Sequence, residues 1–256
     1  MKIKLSDDNT LGPTPHGLVW EYIKRRPSSK HLDYGTREGT FLKHLFATQK
    51  ITEGYGLDLN PDAILMGGQS HQKANVNLST IRKGEPLPHE DNTFDSISMI
   101  GVLEHIHDQD RILAELYRVL KQHGYLYVLV PGKHIFSFLD MGNLKFVFPK
   151  IHKFYVERKY SKDFYNEHFI QCKNGLFGDI EVEKMWHQHF DALELKKIIR
   201  GAGFKILEMD GIGYFRRIFI NLKYFMPPNI KVILERFIQL DAMKFGKSEI
   251  LVIAKK

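Results

Sequence analysis

The chain has 256 residues, of which 43% are hydrophobic and 26% charged, and its formal net charge is +7. Such a length supports one large domain with a substantial core, and the composition excludes disordered and fibrous classes. No run approaches the ~18 consecutive apolar residues of a membrane span, the N-terminal MKIKLSDDNT lacks the apolar centre of an export signal, and Cys172, the single cysteine, excludes an internal disulfide.

These features predict a cytoplasmic protein, with the inner membrane surface as a second location. The positive excess is uneven. From Gly211 onward there are nine Lys/Arg against three Asp/Glu. That suits an anionic membrane surface, a nucleic acid or a phosphorylated substrate, and equally a solvated basic face.

The first fifteen residues read as irregular, with Gly12-Pro13 and Pro15 as breakers. A helix is expected over 16–26, with Leu18, Val19, Tyr22 and Ile23 on one face. Strands and helices then alternate. The expected order is strand 30–34, helix 40–48, strand 54–59, a helix opened by Asn60-Pro61-Asp62, strand 75–80, strand 94–100, helix 110–121 and strand 125–130. Alternation of this kind implies an α/β fold, a parallel sheet with helices on both faces. The pattern lapses between about 133 and 185, which is rich in aromatics and bases. It returns with helix 192–201 and strand 204–209, lapses again over 215–245, where helical patches are split by Pro227-Pro228, and closes with strand 249–254. One domain spanning 1–256, with two insertions forming a lid over the active face, is the expected organisation.

Four stretches carry chemistry. His31-Leu32-Asp33-Tyr34-Gly35-Thr36-Arg37-Glu38-Gly39 is a strand, a glycine-bent turn and a helix start, where backbone N–H groups can hold an anion. About twenty residues on, Gly56-Leu57-Asp58-Leu59 places an acid at a strand end, where it can accept two hydrogen bonds from a ribose diol. Asp58 could instead cap the next helix, although Asn60 already suits that position. The remaining two are Gly84 to Asp95, containing Leu87-Pro88 and Phe94-Asp95, and Val102-Leu103-Glu104-His105-Ile106 followed by Arg118-Val119-Leu120-Lys121-Gln122-His123-Gly124.

In order and spacing this succession resembles the class I S-adenosylmethionine (SAM)-dependent methyltransferases, in their type 11, small-molecule branch. That branch shows LD-x-G-x-G-x-G, G-x-D, LP-x-x-D-x-x-FD, LEH and RVLKPGG. The resemblance covers roughly 30–132 and, more loosely, 187–209 and 249–256. It implies a Rossmann-like, seven-stranded sheet whose last strand is antiparallel, with SAM across the ends of the first two strands and S-adenosylhomocysteine as product. Tyr34, Gly35, Thr36 and Gly39 would line the methionine part. Asp58 would bind the ribose, Leu59 would flank the adenine, Gly84 and Glu85 would reach it, and Ile100 and Gly101 would close the sulfonium side.

Two residues depart from the pattern. Arg37 replaces the middle glycine and could pair with the methionine carboxylate, point to water, or mark a chain that no longer binds SAM. Lys83 replaces the usual acid before the adenine loop.

If the acceptor is a hydroxyl, a base should take its proton, and histidine suits that task. His105, just past the fourth strand, and His187 and His189, in Trp186-His187-Gln188-His189-Phe190, are the candidates. Each could equally order its loop. No Cys or carboxylate stands at ligand spacing from these histidines, so no metal site is expected. The first insertion interleaves aromatics with bases through Lys145-Phe146 to His152 and Tyr155. His152, Tyr155 and Trp186 are therefore candidate acceptor contacts, the alternative being a lid that fills its own core. In the second insertion Ile218, Phe219, Leu222, Phe225 and Met226 share a helical face near Arg216, Arg217 and Lys223. That face could lie on an anionic membrane or pack on its own domain.

The insertions resemble those of methyltransferases in bacterial surface-polysaccharide pathways. A glycan, lipid-linked sugar or other small-molecule acceptor is expected, and peripheral membrane contact is a second partner. With no RNA-binding module visible, nucleic acid is the less favoured partner.

Overall fold

Strand β1 (Ser28–Tyr34) turns inward over its last four residues, and β4 (Phe94–Ile100) is buried along most of its length. Near-continuous burial is what a strand covered on both faces requires. The computed structural model describes residues 6, 8–12, 14–70, 75–133, 148–166, 170, 188–213, 215, 218–219, 222, 226–245 and 248–256. Trp186 and His187, most of the aromatic–basic run before Phe148, and Arg216, Arg217, Lys223 and Phe225 lie outside the described residues.

The sheet has seven strands in the order β3-β2-β1-β4-β5-β7-β6. Its remaining members are β2 (Ile51–Asp58), β3 (Val76–Thr80), β5 (Leu120–Pro131), β6 (Lys205–Ile212) and β7 (Glu249–Lys255). The β1, β2, β3, β4 and β5 pairings are parallel, whereas β7 runs antiparallel to both β5 and β6. The Rossmann-like sheet with an antiparallel last strand is thus the one built.

On one face lie α1 (Pro15–Lys24) and α2 (Thr40–Ala47), whose Val19, Trp20, Ile23, Leu42 and Leu45 pack against Tyr127, Leu129 and Ile253. On the other lie α4 (Gln109–Val119) and α7 (Ala192–Gly201), which bring Leu113, Leu116, Leu195 and Ile199 against Ile97, Leu126 and Val252. The third helix, α3 (Pro61–Ser70), packs beside β2 and β3. Caps fix several of these starts. Thr14 accepts from Gly17 N at 3.0 Å with Pro15 following, and Asp191 and Glu194 form a reciprocal capping box.

Boundaries move where tertiary pairing outweighs local pattern. Helix α4 stops at Val119, and β5 begins at Leu120 because Leu120 pairs with Phe94 before an irregularity in register. Strand β6 runs on to Ile212 because Asp210–Ile212 pair with Glu249–Leu251.

Both insertions hold helices that the sequence pattern obscured. In the first are α5 (Pro149–Lys159), opened by Pro149, and α6 (Lys162–Tyr165), capped by Ser161. In the second, Pro227-Pro228 open α8 (Pro228–Phe245), a single 18-residue helix, so they begin a helix where a split between patches was expected. Of the apolar stripe expected there, Ile218 and Leu222 are exposed, and Phe219 stacks on Phe237 of α8 at 5.9 Å between ring centroids.

The motif residues outside the ligand turns hold the sheet edge together. Arg118 bonds Glu115, Asp91 and the carbonyls of Leu87 and His89, pinning the 87–91 loop to α4. Asp95 accepts Lys121 Nζ at 2.7 Å and Lys30 N–H at 2.8 Å, joining β1, β4 and β5. Among the described residues, no helix is long and apolar enough to cross a membrane.

Candidate functional site

The carboxyl ends of β1, β2 and β4 face a cleft of about 260 Å³. An open α/β sheet binds ligands at this edge. Tyr34, Gly35, Asp58, Leu59, Gly84 and Glu85, all singled out from the sequence, line it together.

The first turn needs its glycine. Gly35 has φ +80, and a Cβ there would overlap Val102 on the opposite wall. Its N–H donates to Leu57 O at 2.7 Å, which holds the β1 and β2 ends side by side. Gly56 serves the same contact, since a Cβ would come within 2.6 Å of Thr36 Cγ2.

Asp58 is 3% exposed. One carboxylate oxygen accepts Arg37 N–H at 2.7 Å and the other accepts Asn60 N–H at 2.9 Å. Each carboxylate oxygen has a second lone pair, so two acceptor sites remain for hydroxyls in the cleft. The capping alternative does not describe it: the helix cap is Asn60, whose side chain accepts from Asp62 N and Ala63 N.

Thr36, Gly39, Ile100 and Gly101, which the resemblance placed at the cofactor, fall outside the cleft wall, as does Arg37, the departure that could pair with the methionine carboxylate or point to water. Thr36 is buried, and Gly39 starts α2 with its open side against Leu78. Gly101 N–H bonds Leu129 O at 2.9 Å. Arg37 points outward, with its guanidinium 3.7 Å from Glu38 and mostly exposed. Its backbone is left-handed, with φ 52, the conformation its lost glycine would take freely. Arg37→Gly should therefore raise stability by up to about 1 kcal/mol and leave SAM affinity within about twofold. Urea denaturation and calorimetry read the two effects. A large loss of affinity would instead mean that the guanidinium turns inward to hold the methionine carboxylate.

Of the opposite wall, Val102 and Ile106 belong to a stretch singled out from the sequence, whereas His107, Asp108 and Arg111 do not. The wall consists of Val102, Ile106, His107, Asp108, Arg111 and Ile112, from the segment after β4 and the first turn of α4. Arg111 Nη1 donates to Gly84 O and so ties this wall to the 81–85 loop. Lys83, read as a departure, lines the cleft beside Arg82. The signal available for His107 was proximity in sequence, since it directly follows Val102-Leu103-Glu104-His105-Ile106.

Of the candidate bases that are described, neither His105 nor His189 lines the cleft. His105 closes a short 3₁₀ turn (Leu103–His105), is 9% exposed, and has Nε2 4.0 Å from Glu104 Oε1. His189 is half-buried beside Phe190, whose N–H bonds Pro131 O at the end of β5. One side chain couples the two segments: Gln109 Nε2 donates to Leu103 O at 3.0 Å and to Gln188 Oε1 at 2.9 Å. The structure thus brings the His105 turn and the 188–190 segment together. His152 and Tyr155 are not in the cleft. They belong to α5, where His152 is buried against Tyr165 and Tyr155 is exposed.

Beneath the site, β1 and β4 bury a polar chain. Ser98 Oγ donates to Asp33 at 2.5 Å, His31 contacts Ser98 through Nε2 at 2.9 Å and Ser96 through Nδ1 at 2.6 Å, and Ser96 contacts Ser28 at 2.6 Å. With Asp33 ionised, Ser98 spends its one proton on the carboxylate, so His31 must donate from Nε2 and accept at Nδ1. Burial pushes Asp33 up to about 6, opposed by the Ser98 and Thr36 hydroxyls and aided by the Asp58 charge. Burial alone holds His31 down to about 3.

The two shifts act in opposite senses on stability. A raised Asp33 makes the fold less stable as pH rises from 3.8 through about 6. A depressed His31 makes it less stable as pH falls from 6.5 toward about 3. Between about 4 and 6 they offset, and the chain's stability should be nearly level with respect to this pair. Asp33→Asn removes one side, so its urea midpoint should fall steadily as pH drops from 6.5 to 4. Parallel curves for the two proteins would show that the pair does not titrate as argued.

A family model described as a methyltransferase domain matches residues 18–209. A ubiquinone/menaquinone biosynthesis C-methyltransferase of Hydrogenovibrio crunogenus is 30% identical over 130 residues, which is 49% of this chain and 44% of that protein. The match thus spans less than half the length of that curated relative. The structure is similar to a putative methyltransferase in complex with the Trm112 activator from Haloferax volcanii, with TM-score 0.59, 17% identity, and coverage of 93% of this chain and 88% of that one. It is also similar to phosphoethanolamine N-methyltransferase 2 of Haemonchus contortus, a structure containing SAM, with TM-score 0.58, 16% identity, and coverage of 97% and 54%. With the sheet order, the paired β1 and β2 turns and a family model covering most of its length, the chain belongs to the class I SAM-dependent methyltransferases.

Proposed function

We propose that this methyltransferase acts on a hydroxyl of a small molecule, sugar or lipid-linked glycan, as in surface-polysaccharide assembly. The cleft fits the cofactor on its own geometry. A buried carboxylate with two open acceptor sites suits the ribose diol. Leu59, Ile81, Leu87, Ile106 and Ile112 offer apolar walls for a flat purine. Tyr34 and Gly35 present the β1 turn at the cleft for the methionine part.

Bound SAM supplies an activated methyl group, so the chain's contribution is alignment and proton handling. Asp58 and Gly35 fix one end of the cleft. Val102 packs directly against Gly35, and with Ile106 it adds apolar wall to the cleft. A histidine of the 103–105 or 188–190 segment takes the hydroxyl proton as the oxygen gains its methyl group. The observation that carries the hydroxyl reading is that Gln109 ties the 103–105 turn to the 188–190 segment, each of which holds a histidine.

A second reading, C-methylation of a quinone-like ring, is favoured by the relative from Hydrogenovibrio crunogenus. Incubation with methyl-labelled SAM, and separately with a sugar acceptor, a lipid-linked sugar and a demethylated quinol, tests the choice. NMR of the product should place the label on oxygen. A label on ring carbon would replace this reading with the second.

A further inference from the structure

The geometry points to α5 as a membrane-docking helix that seats its outer face in the headgroup region of an anionic bilayer. The surface does not depend on which atom is methylated, but it would bring the site to the lipid-linked acceptor proposed above.

Helix α5 carries apolar side chains on two separate arcs. Inward it turns His152 and Val156, which are buried. Outward it presents Ile151 at 57% exposure, Phe154 at 69% and Tyr155 at 44%, with Phe148 just before the helix. At 100° per residue Ile151, Phe154 and Tyr155 occupy one arc of about 100°, separate from the buried pair. An apolar outer arc is costly in water and needs a reason.

The charges around that arc supply it. Lys150 and Arg158 lie on or beside the arc, and Lys159 lies at its edge with Nζ 5.6 Å from the Tyr155 ring and 5.1 Å from the Tyr160 ring. Over 148–165 the sequence carries five Lys/Arg against two Asp/Glu. Of the five, Lys153 lies away from the arc, over the Tyr165 ring and 3.8 Å from Glu157. An aromatic and aliphatic arc bordered by long basic side chains is the pattern of a helix lying in an anionic interface. There the rings enter the acyl boundary, and the Lys and Arg heads remain among the phosphates. A protein partner with a plain apolar groove would leave the border cations unanswered.

Flotation of the full chain with vesicles of phosphatidylcholine, with and without phosphatidylglycerol, tests this without any turnover. Its failure is therefore separate from failure of the acceptor assignment. Binding is expected to the phosphatidylglycerol vesicles only, and to weaken with salt. Ile151→Asp with Phe154→Asp, both exposed positions, should lower the partition coefficient more than tenfold, as should Lys150→Glu with Arg158→Glu and Lys159→Glu. Phe154→Trp should shift its fluorescence to the blue on those vesicles. Equal partitioning of wild type and variants, or no partitioning, overturns the proposal. So does a wild-type dimer in sedimentation that the Ile151/Phe154 variant abolishes, or an RNA that the arc variants no longer bind, since each names a different occupant.

Discussion

Asp58→Ala is expected to weaken SAM binding by more than a hundredfold in a calorimetric titration. Its carboxylate is already desolvated at 3% exposure and held by two backbone N–H donors, so the protein has met the cost of burying the charge before ligand arrives. Two hydroxyls bonding to a charged acceptor contribute about 1.5–3 kcal/mol each. Losing both exceeds the ~2.7 kcal/mol that corresponds to a hundredfold. Alanine also leaves Arg37 N–H and Asn60 N–H without their acceptor. This should cost about 1–2 kcal/mol of stability, visible as an earlier urea midpoint with an unchanged circular dichroism spectrum. Asp58→Asn keeps one oxygen acceptor and should fall between wild type and alanine in both measurements. Affinity unchanged by alanine would remove Asp58 from the ribose and with it the placement of SAM across the β1 and β2 ends.

The sheet was legible in the sequence because its strands are short apolar runs closed by turn residues, and β4 and α7 appear with their expected bounds. Buried strands and capped helices write their constraints locally. Helices α5 and α6 were not legible for a physical reason. A helix with His152 and Val156 inward and Ile151, Phe154 and Tyr155 outward has no single apolar face, so its period is lost even though Pro149 and Ser161 mark the starts.

The site divides the same way. Asp58 and Gly35 stand in motifs whose spacing reflects one crossover, and they line one cleft. Arg111 and Ile112 reach it from the first turn of a helix whose sequence reads only as amphipathic, and Arg111 arrives by bonding Gly84, 27 residues earlier. Thr36, Gly39 and Gly101 show the converse. A motif residue can be required by the turn, through close packing or a left-handed φ, without lining the cleft itself.

His105→Gln is expected to lower kcat by about a hundredfold or more, the scale of a lost general base, while the dissociation constant for SAM changes less than about threefold. His105 sits at the carboxyl end of the central strand pair, one turn past Gly101, and Glu104 flanks its ring at 4.0 Å. It lies three residues past Val102 and directly before Ile106, both of the cleft wall, without lining the cleft itself. A base works only when neutral, so the wild-type rate should fall toward acid pH. In His105→Gln that limb should vanish while the remaining rate becomes insensitive to pH. A structural role alone would lower activity without flattening the profile. If His105→Gln keeps its kcat and His189→Gln loses it, the base belongs to the 188–190 segment. The Gln109 bridge then explains why the 103–105 turn is held against it: Gln109→Ala, which frees both segments, should cost activity in either case.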